Sequence, residues 1–472
     1  MDKGMSMQTE LFIKEKKQTE TGYVTRAAMF ASSKVIEVST VANENWYLIY
    51  YKNHFINGVK LTHIEEDTFI HKTFTNGIVI ESPNPLLSAF IPHKAISIPM
   101  KNKLFSQLQL HFSLQEVAYI ATTLDSFFMK DEIISLIDKV YFHFRRSGKF
   151  MKSYQVIRIL NDFAPSLKSA KERLESQEFN AYHGIYKSSD FLSILKKDPL
   201  FVELYCFNHR FNPEERRVVE DILSQHDALA AVLLWLEDIH RKQDTVTIEK
   251  YTNMALQYIT LEEWMLVLGQ VNINPFAVLP ESKSLVEKMA EKGRVEQAAL
   301  SIFAFINDLP SSYDAVLKTI WENSEPRFVL SHLDKFVELL QHLPRADRSR
   351  QMEEKIFQLA VNLFEEHELS FVQEQLVSIQ ELIPESEVIR KVKDMVQLEE
   401  NPDRMMDVGD LYAEFKQYDK AIDCYFWEME LEPRNPLPVR KISKMYQLKG
   451  LNKEAASYQK LFEQLKSNQT AG

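Results

Sequence analysis

The chain has 472 residues, 45% of them apolar, which is enough for a sizeable core and about two to four domains. Its formal net charge of −11 argues against nucleic acid as the main partner, because phosphate binding needs a basic face. Only 11 glycines occur, and this favours helices over sheets.

The compartment is predicted from the cysteines and from the apolar runs. Cys206 and Cys424 form neither a disulfide framework nor a zinc pattern, which suits a reducing compartment. The run Ala228–Leu236 is far shorter than the ~20 residues that cross a bilayer, and Met1–Gly22 lacks the apolar core of a signal peptide. We therefore expect a cytoplasmic protein with no membrane contact.

Residues 1–102 are predicted to form a small β-rich domain after a solvated start over residues 1–20. Asn57-Gly58 and Asn76-Gly77 lie between strand-like runs, and such pairs favour hairpin turns. The prediction is an antiparallel meander. The runs, rich in β-branched and aromatic residues, are 34–41, 46–51, 59–64, 67–74 and 78–81.

From residue 103 onward the apolar spacing is helical. Ser113, with Glu116 three residues on, predicts a capped helix start. The pairs Asp198-Pro199 and Asn212-Pro213 predict two further helix starts, since proline suits the first helical position. Residues 103–278 are accordingly predicted to be helical.

Two copies of one pattern lie between residues 402 and 462, offset by 34 residues. Small residues stand where paired helices must approach closely, and Tyr412 follows one turn after such a position. The first copy has Met405, Val408, Gly409, Tyr412, Ala421, Tyr425 and Pro433, and the second has Val439, Ile442, Ser443, Tyr446, Ala455 and Gln459.

This pattern resembles the tetratricopeptide repeat (TPR), a 34-residue helical hairpin. The resemblance implies a mainly α fold, an α-solenoid of TPR-like hairpins preceded by the small antiparallel β-rich domain. The predicted domains are 1–102, 103–278 with degenerate repeats, 279–400 with divergent hairpins, and 401–472 with two clear repeats and a C-terminal helix end. The composition is similar to that of cytoplasmic TPR proteins of Bacillus-type bacteria.

Degenerate copies of the same pattern extend the predicted solenoid toward the N-terminus. When the 34-residue pattern is aligned so that it begins at residue 134 or at residue 279, Gly148 and Gly293 fall in the turn between the two helices. Looser overlays cover 313–346 and 353–386.

Motifs for chemistry are absent from the sequence. It has no phosphate loop, no H-E-x-x-H and no nucleophile elbow. His63 and His71 fall on different predicted strands, but nothing in their spacing demands a metal. We therefore predict no catalytic residue, no cofactor and no metal site.

The TPR resemblance implies that the first helix of each repeat lines a concave groove for a peptide or protein segment. Met406 and Asp410 stand where chaperone-binding members carry Lys and Asn, so their full carboxylate clamp is not expected. The predicted groove residues are Met406, Asp410, Glu414, Arg440, Lys444 and Gln447.

The leading hypothesis is a non-enzymatic scaffold or adaptor in the bacterial cytoplasm that binds a protein or peptide. The first alternative is a TPR sensor that responds to a peptide and regulates a partner. The second is an enzyme with an unrecognised site in the β-rich domain.

Overall fold

The structure, a computed structural model, describes residues 9–16, 18–187, 190–239, 244–343, 350–380, 383–399 and 401–470. The chain divides into two compact units, Met1–Ile273 and Asn274–Gly472. The domain limits predicted from the sequence stay predictions.

The first unit begins with a mainly antiparallel sheet of strand order β5-β4-β3-β2-β1-β7. Residues 18–23 of β2 pair with β1, and β6 pairs with residues 26–29 of the same strand. β1 and β7 are parallel. The strands are β1 (Glu10–Glu15), β2 (Gln18–Phe30), β3 (Ser33–Thr40), β4 (Asn45–Tyr51), β5 (His54–Leu61), β6 (Ile78–Glu81) and β7 (Ala95–Ser97).

The solvated start predicted for residues 1–20 is wrong over its described part. Leu11 and Ile13 alternate with exposed residues along β1 and are buried, as expected of a strand with one face on a core. Residues 1–8 and 17 lie outside the described part of the chain.

The two predicted Asn-Gly hairpin turns are also wrong. Lys52 and Asn53 form the turn between β4 and β5, with φ of 46° and 63°. Asn57 and Gly58 lie inside β5, where they pair with Ile49 and Leu48. Two consecutive residues with positive φ match the twist of a two-residue hairpin, so Lys52-Asn53 supplies this turn without glycine.

The predicted strand over 67–74 is a helix instead. Thr68 caps its start by accepting a hydrogen bond from the backbone N–H of His71. Phe69, Ile70 and Thr73 are buried, and their spacing of one and four is that of a helix face. Gly77 follows this helix, and only glycine fits there, because a Cβ atom would lie 2.3 Å from the carbonyl oxygen of Thr73.

Fourteen α-helices complete the first unit in the described residues. The predicted capping box of Ser113 and Glu116 is present, and the two proline pairs begin α10 and α11. The helices are α1 (Phe69–Asn76), α2 (Pro85–Ala89), α3 (Lys101–His111), α4 (Leu114–Thr122), α5 (Lys130–Arg146), α6 (Phe150–Phe163), α7 (Lys168–Leu174), α8 (Asn180–Lys187), α9 (Phe191–Leu195), α10 (Pro199–Asn208), α11 (Pro213–His226), α12 (Ala228–Glu237), α13 (Thr245–Ala255) and α14 (Leu261–Gln270).

Polar contacts join the sheet to these helices within the first unit. The Nζ of Lys34 lies 2.9 Å from Oδ2 of Asp227, and the Lys34 side chain is only 3% exposed. Glu203 of α10 accepts a hydrogen bond of 2.7 Å from the backbone N–H of Ser32. Because burial penalises both charged groups, it lowers the pKa of Lys34 and raises that of Glu203.

The second unit is built from helices, most of which contact the next helix along the chain. Its helices are α15 (Pro275–Val278), α16 (Ser282–Glu291), α17 (Val295–Phe303), α18 (Asp314–Asn323), α19 (Pro326–Ser331), α20 (Leu333–His342), α21 (Arg350–Glu366), α22 (Leu369–Gln380), α23 (Glu387–Glu399), α24 (Met405–Glu414), α25 (Tyr418–Leu431), α26 (Pro436–Leu448) and α27 (Asn452–Thr470).

One backbone feature recurs in four of the helix pairs. In the copies of the pattern that begin at residues 134, 279, 402 and 436, the fifteenth residue lies between the two helices and has positive φ. They are Gly148 (68°), Gly293 (77°), Lys416 (61°) and Gly450 (78°). A left-handed residue at the end of the first helix is a common way to reverse the chain.

The two looser overlays differ from this turn. Residues 314–342 form three helices, α18 to α20, instead of the predicted pair. The overlay 353–386 falls on α21 and α22, and His367 at its fifteenth position does not have positive φ. Residues 344–346 and 381–382 of these overlays lie outside the described part of the chain. The predicted fold class is confirmed, since helical hairpins follow an N-terminal antiparallel-rich sheet.

Candidate functional site

Close approach of α24 and α25 shapes the first clear repeat. Val408, Gly409 and Tyr412 are buried on α24, Ala421 and Tyr425 are buried on α25, and Gly409 lies against the ring of Tyr425. The second repeat uses the same positions. There Ser443 on α26 is buried, and its hydroxyl donates a 2.7 Å hydrogen bond to the carbonyl oxygen of Ala455 on α27. The small residues therefore stand where the sequence pattern places them.

A polar contact joins the two repeats through Asp410. Its Oδ1 accepts hydrogen bonds from the Tyr425 hydroxyl at 2.7 Å and from Nζ of Lys441 at 2.6 Å. Burial and the neighbouring Asp410 carboxylate raise the pKa of Tyr425, so it stays a donor. Asp410 was predicted to line the groove, and the structure gives it a position between α24, α25 and α26.

Glu414 and Met406, also predicted for the groove, lie on the same helix as Asp410. Met406 is half-buried and Glu414 is exposed. An oxygen of Glu414 lies 2.6 Å from Nζ of Lys391 on α23. This exposed pair adds at most about 1 kcal/mol to stability.

Glu414 also borders a hollow of about 350 Å³ between α21, α23 and the end of α24. The rings of Phe357 and Phe415 stack at its edge, with centroids 5.7 Å apart. Its charged lining is mostly acidic and consists of Glu353, Glu354, Glu387, Lys391 and Glu414. Sequence reasoning predicted only Glu414, because the other residues come from helices outside the clear repeat pair.

The remaining predicted groove residues share one face of α26. Arg440, Lys444 and Gln447 are spaced by four and three residues, and all three are exposed. The guanidinium carbon of Arg440 lies 5.9 Å from the ring centre of Phe462 on α27. This face presents two cations and an amide to solvent. Such groups can donate charge-assisted hydrogen bonds to a carboxylate.

The two histidines considered as metal ligands do not lie on strands, as they were predicted to. His63 follows β5, and His71 lies on α1 rather than on a strand. Within the described ranges, no group of three or more His, Cys, Asp or Glu side chains could hold a metal ion. Among the same residues, no helix is long and apolar enough to cross a bilayer.

No protein-family model matches the chain, and no curated protein matches it. Among solved structures, a crystal structure of MamA aligns with 40% of this chain and 97% of its own, at 20% identity and a TM-score of 0.17. A second MamA structure aligns with 41% of this chain and 96% of its own, at 18% identity and a TM-score of 0.18.

A crystal structure of the APC/C hetero-tetramer Cut9-Hcn1 covers 78% of this chain and 83% of its own, at 11% identity and a TM-score of 0.16. TM-scores this low support no inference. The assignment to helical repeats therefore rests on the packing and turns of the chain's own helix pairs.

Proposed function

We propose that this chain is a non-enzymatic scaffold of the bacterial cytoplasm, and that its C-terminal repeats bind a protein or peptide segment bearing a carboxylate. One observation carries the proposal. α26 exposes Arg440, Lys444 and Gln447 on one face while it buries Val439 and Ile442 on another. The helix is thus held by its neighbours and offers a row of exposed donors.

The charge distribution around α26 supports a carboxylate as the ligand group. Lys441, next to this row, is engaged by Asp410 at 2.6 Å and is therefore not counted as a ligand contact. Arg440 and Lys444 lie one turn apart, so two cations can approach one carboxylate group. Gln447 extends the row with an amide that can contact a peptide backbone.

Two further features fit the scaffold role and the compartment. Trp427 and Leu431, half-exposed on α25, add apolar surface to the same repeat pair. Cys206 and Cys424 are both free thiols, which suits a reducing cytoplasm.

A peptide array tests the proposal with a defined probe. The full chain is applied to an array of acidic, basic and neutral peptides, and bound peptides are then remeasured in solution by fluorescence anisotropy. We expect binding to peptides with a carboxylate near their anchor point. Arg440→Ala with Lys444→Ala should raise Kd at least about 10-fold, since each charge-assisted hydrogen bond contributes ~1.5–3 kcal/mol when shielded.

The matched control is Lys453→Ala with Lys460→Ala, which removes two exposed cations from α27 and leaves the α26 row intact. This control should bind the same peptides with unchanged Kd. Equal weakening by both double variants would show that only net charge matters and would overturn the assigned row. Failure of the unaltered chain to bind any peptide would overturn the proposal itself.

A further inference from the structure

A hollow beside the sheet of the first unit is separate from the α26 row. Its volume is about 820 Å³, and small-molecule sites in proteins commonly enclose ~300–1,000 Å³. Residues of β5, β7 and α3 line it. Because β5 and β7 are the two ends of the sheet path, the hollow lies between the ends of the sheet.

Close packing at Gly58 brings these two ends together. A Cβ atom on Gly58 of β5 would lie 2.9 Å from Cδ1 of Ile98, the residue that follows β7. The missing side chain therefore lets Ile98 pack onto β5. α3 adds the third wall through Leu104 and Leu108, which are buried and line the hollow.

Most of the lining side chains are apolar. Ile56, Ile96, Leu104 and Leu108 are at most 6% exposed. Leu110 also lines the hollow, yet it is 79% exposed, so part of the apolar wall faces water. A hydrocarbon chain that covered this wall would be stabilised by the hydrophobic effect.

Three imidazole rings also line the hollow, and no Asp or Glu side chain does so among the described residues. The rings belong to His54, His93 and His111, which are exposed. The Nδ1 of His54 donates a 3.0 Å hydrogen bond to the carbonyl oxygen of Lys52. The ring centres of His54 and His111 are 5.7 Å apart. Two imidazoles therefore lie close enough to contact one carboxylate, and protonated rings donate charge-assisted hydrogen bonds to such a group.

The sequence around the hollow is basic, although the chain as a whole is acidic. Residues 52–61 and 92–112 contain five lysines and three histidines but no aspartate or glutamate. Lys52 is paired with Glu116 at 2.7 Å. Lys94 and Lys103 are exposed and have no ion pair within the described part of the chain. A local charge of this sign favours an anion as the ligand.

A smaller hollow of the same unit differs in charge. It has a volume of about 400 Å³, lies between α1 and the helices α4, α6 and α10, and has four carboxyl groups in its lining. The surplus of basic groups is therefore a property of the hollow beside the sheet and not of the unit as a whole.

The apolar walls favour a hydrocarbon chain over a peptide as the body of the anion. A buried peptide needs partners for its N–H and C=O groups. Apart from the imidazoles, the hollow offers only Asn53, Ser97 and Gln107 in its described lining. The Oδ1 of Asn53 already accepts a 2.6 Å hydrogen bond from Nζ of Lys34. A hydrocarbon chain needs no such partners, whereas an inorganic anion would leave the apolar walls uncovered.

We propose that this hollow binds a free aliphatic carboxylate. Its hydrocarbon chain packs against Ile56, Ile96 and Leu108, and its carboxylate accepts hydrogen bonds from His54 and His111.

Isothermal titration calorimetry of the full chain tests this with five probes. They are octanoate, acetate, octylammonium, 1-octanol and the dipeptide acid acetyl-Leu-Leu. Octanoate should bind more tightly than the other four, because it alone combines an unbranched hydrocarbon chain with a negative charge. Across hexanoate, octanoate and decanoate, each pair of added methylenes should lower Kd about 10-fold, since the added groups are buried.

Two variants on α3 connect binding to the hollow. Gln107→Glu adds a carboxylate to the wall and should raise Kd for octanoate at least about 5-fold by repulsion. Gln109→Glu is the matched control. It adds the same charge to the same helix at an exposed residue that does not line the hollow, so Kd should stay unchanged.

A second pair of variants tests the imidazoles. His54→Gln with His111→Gln should raise Kd for octanoate at least about 10-fold, because two charged donors are lost. Both residues are exposed, so the double variant is expected to fold. His63→Gln, at an exposed histidine beyond β5, should leave Kd unchanged.

Four outcomes would overturn the proposal. They are no octanoate binding at millimolar concentration, equal or tighter binding of octylammonium or acetate, tighter binding of acetyl-Leu-Leu, and an unchanged Kd in both Gln107→Glu and the double histidine variant. The variant with Arg440→Ala and Lys444→Ala should bind octanoate as the unaltered chain does. This result separates the hollow from the α26 row, and a loss of octanoate binding there would also overturn the proposal.

Discussion

Gly409 of α24 lies directly against the ring of Tyr425 on α25, so closely that a Cβ atom on Gly409 would be 2.5 Å from Cε1 of that ring. The ring cannot easily move aside, because the Tyr425 hydroxyl donates a 2.7 Å hydrogen bond to Asp410. This contact explains in atomic terms why the repeat has glycine at this position.

Gly409→Val should destabilise the second unit by about 2 kcal/mol, since added volume in a packed interface forces the helices apart. Hydrogen exchange of α24 and α25, together with urea unfolding, measures the loss. Gly184→Val on α8 is the control, because a Cβ atom there meets nothing within 4 Å. Equal losses in both variants would contradict the packing argument.

Lys416 occupies the turn position at which three other helix pairs have glycine, and its φ is 61°. An L-residue in this region is strained by ~1 kcal/mol, and glycine is not. Lys416→Gly should therefore stabilise the chain by about 0.5–1 kcal/mol in urea unfolding.

The control for this change is Lys416→Ala, which removes the same side chain but keeps the strained backbone. Gly450→Ala, at the equivalent turn, should lower the free energy of unfolding by about 1 kcal/mol. No atom crowds the new Cβ there, so backbone strain alone accounts for the loss. Stabilisation of Lys416→Ala as large as that of Lys416→Gly would show that the side chain, not φ, is responsible.

The helical regions were predicted well because their signals are local. Three signals lie within one or two helical turns, so the sequence alone reveals them. They are the spacing of apolar residues, the Ser113–Glu116 capping box and the prolines at helix starts. The 34-residue period also indicates the close helix contacts at Gly409 and Ser443.

The β-rich region was predicted less well because its turns depend on partners distant in sequence. Asn57-Gly58 has the composition of a turn, yet the chain turns at Lys52-Asn53 and this pair lies inside β5. The helix at 69–76 did carry a signal, since the buried residues Phe69 and Thr73 are four apart. Their β-branched and aromatic neighbours concealed it.

The candidate sites divide in the same way. The α26 row follows from the spacing within one helix, so it was predicted. The hollow of about 400 Å³ between α1 and the helices α4, α6 and α10 was not predicted, because its lining residues, such as Lys72 and Asp125, come from separate segments. Only the tertiary fold brings these segments together, and no short motif indicates it.

Arg216 is predicted to hold the first unit together through a buried charge network. Its side chain is 3% exposed, lies 3.2 Å from Glu220 and contacts the carbonyl oxygen of Leu234. Arg216→Met should cost about 3 kcal/mol, because it leaves buried acceptors without their cation. Arg217→Met, one residue on and exposed, should change the unfolding free energy by less than about 0.5 kcal/mol. Comparable losses in both would contradict the network.

Asp125 should make stability depend on pH. Burial raises its pKa to about 6, whereas an unfolded aspartate titrates near ~3.9. The folded state therefore binds this proton more tightly, and ionisation costs folding free energy as pH rises from about 4 to 6. Asp125→Asn keeps an acceptor for the Phe69 N–H and removes that cost. Relative to the unaltered chain, it should gain about 1–2 kcal/mol at pH 7 in urea unfolding and little at pH 4. A gain of equal size at both pH values would rule out this ionisation as the cause.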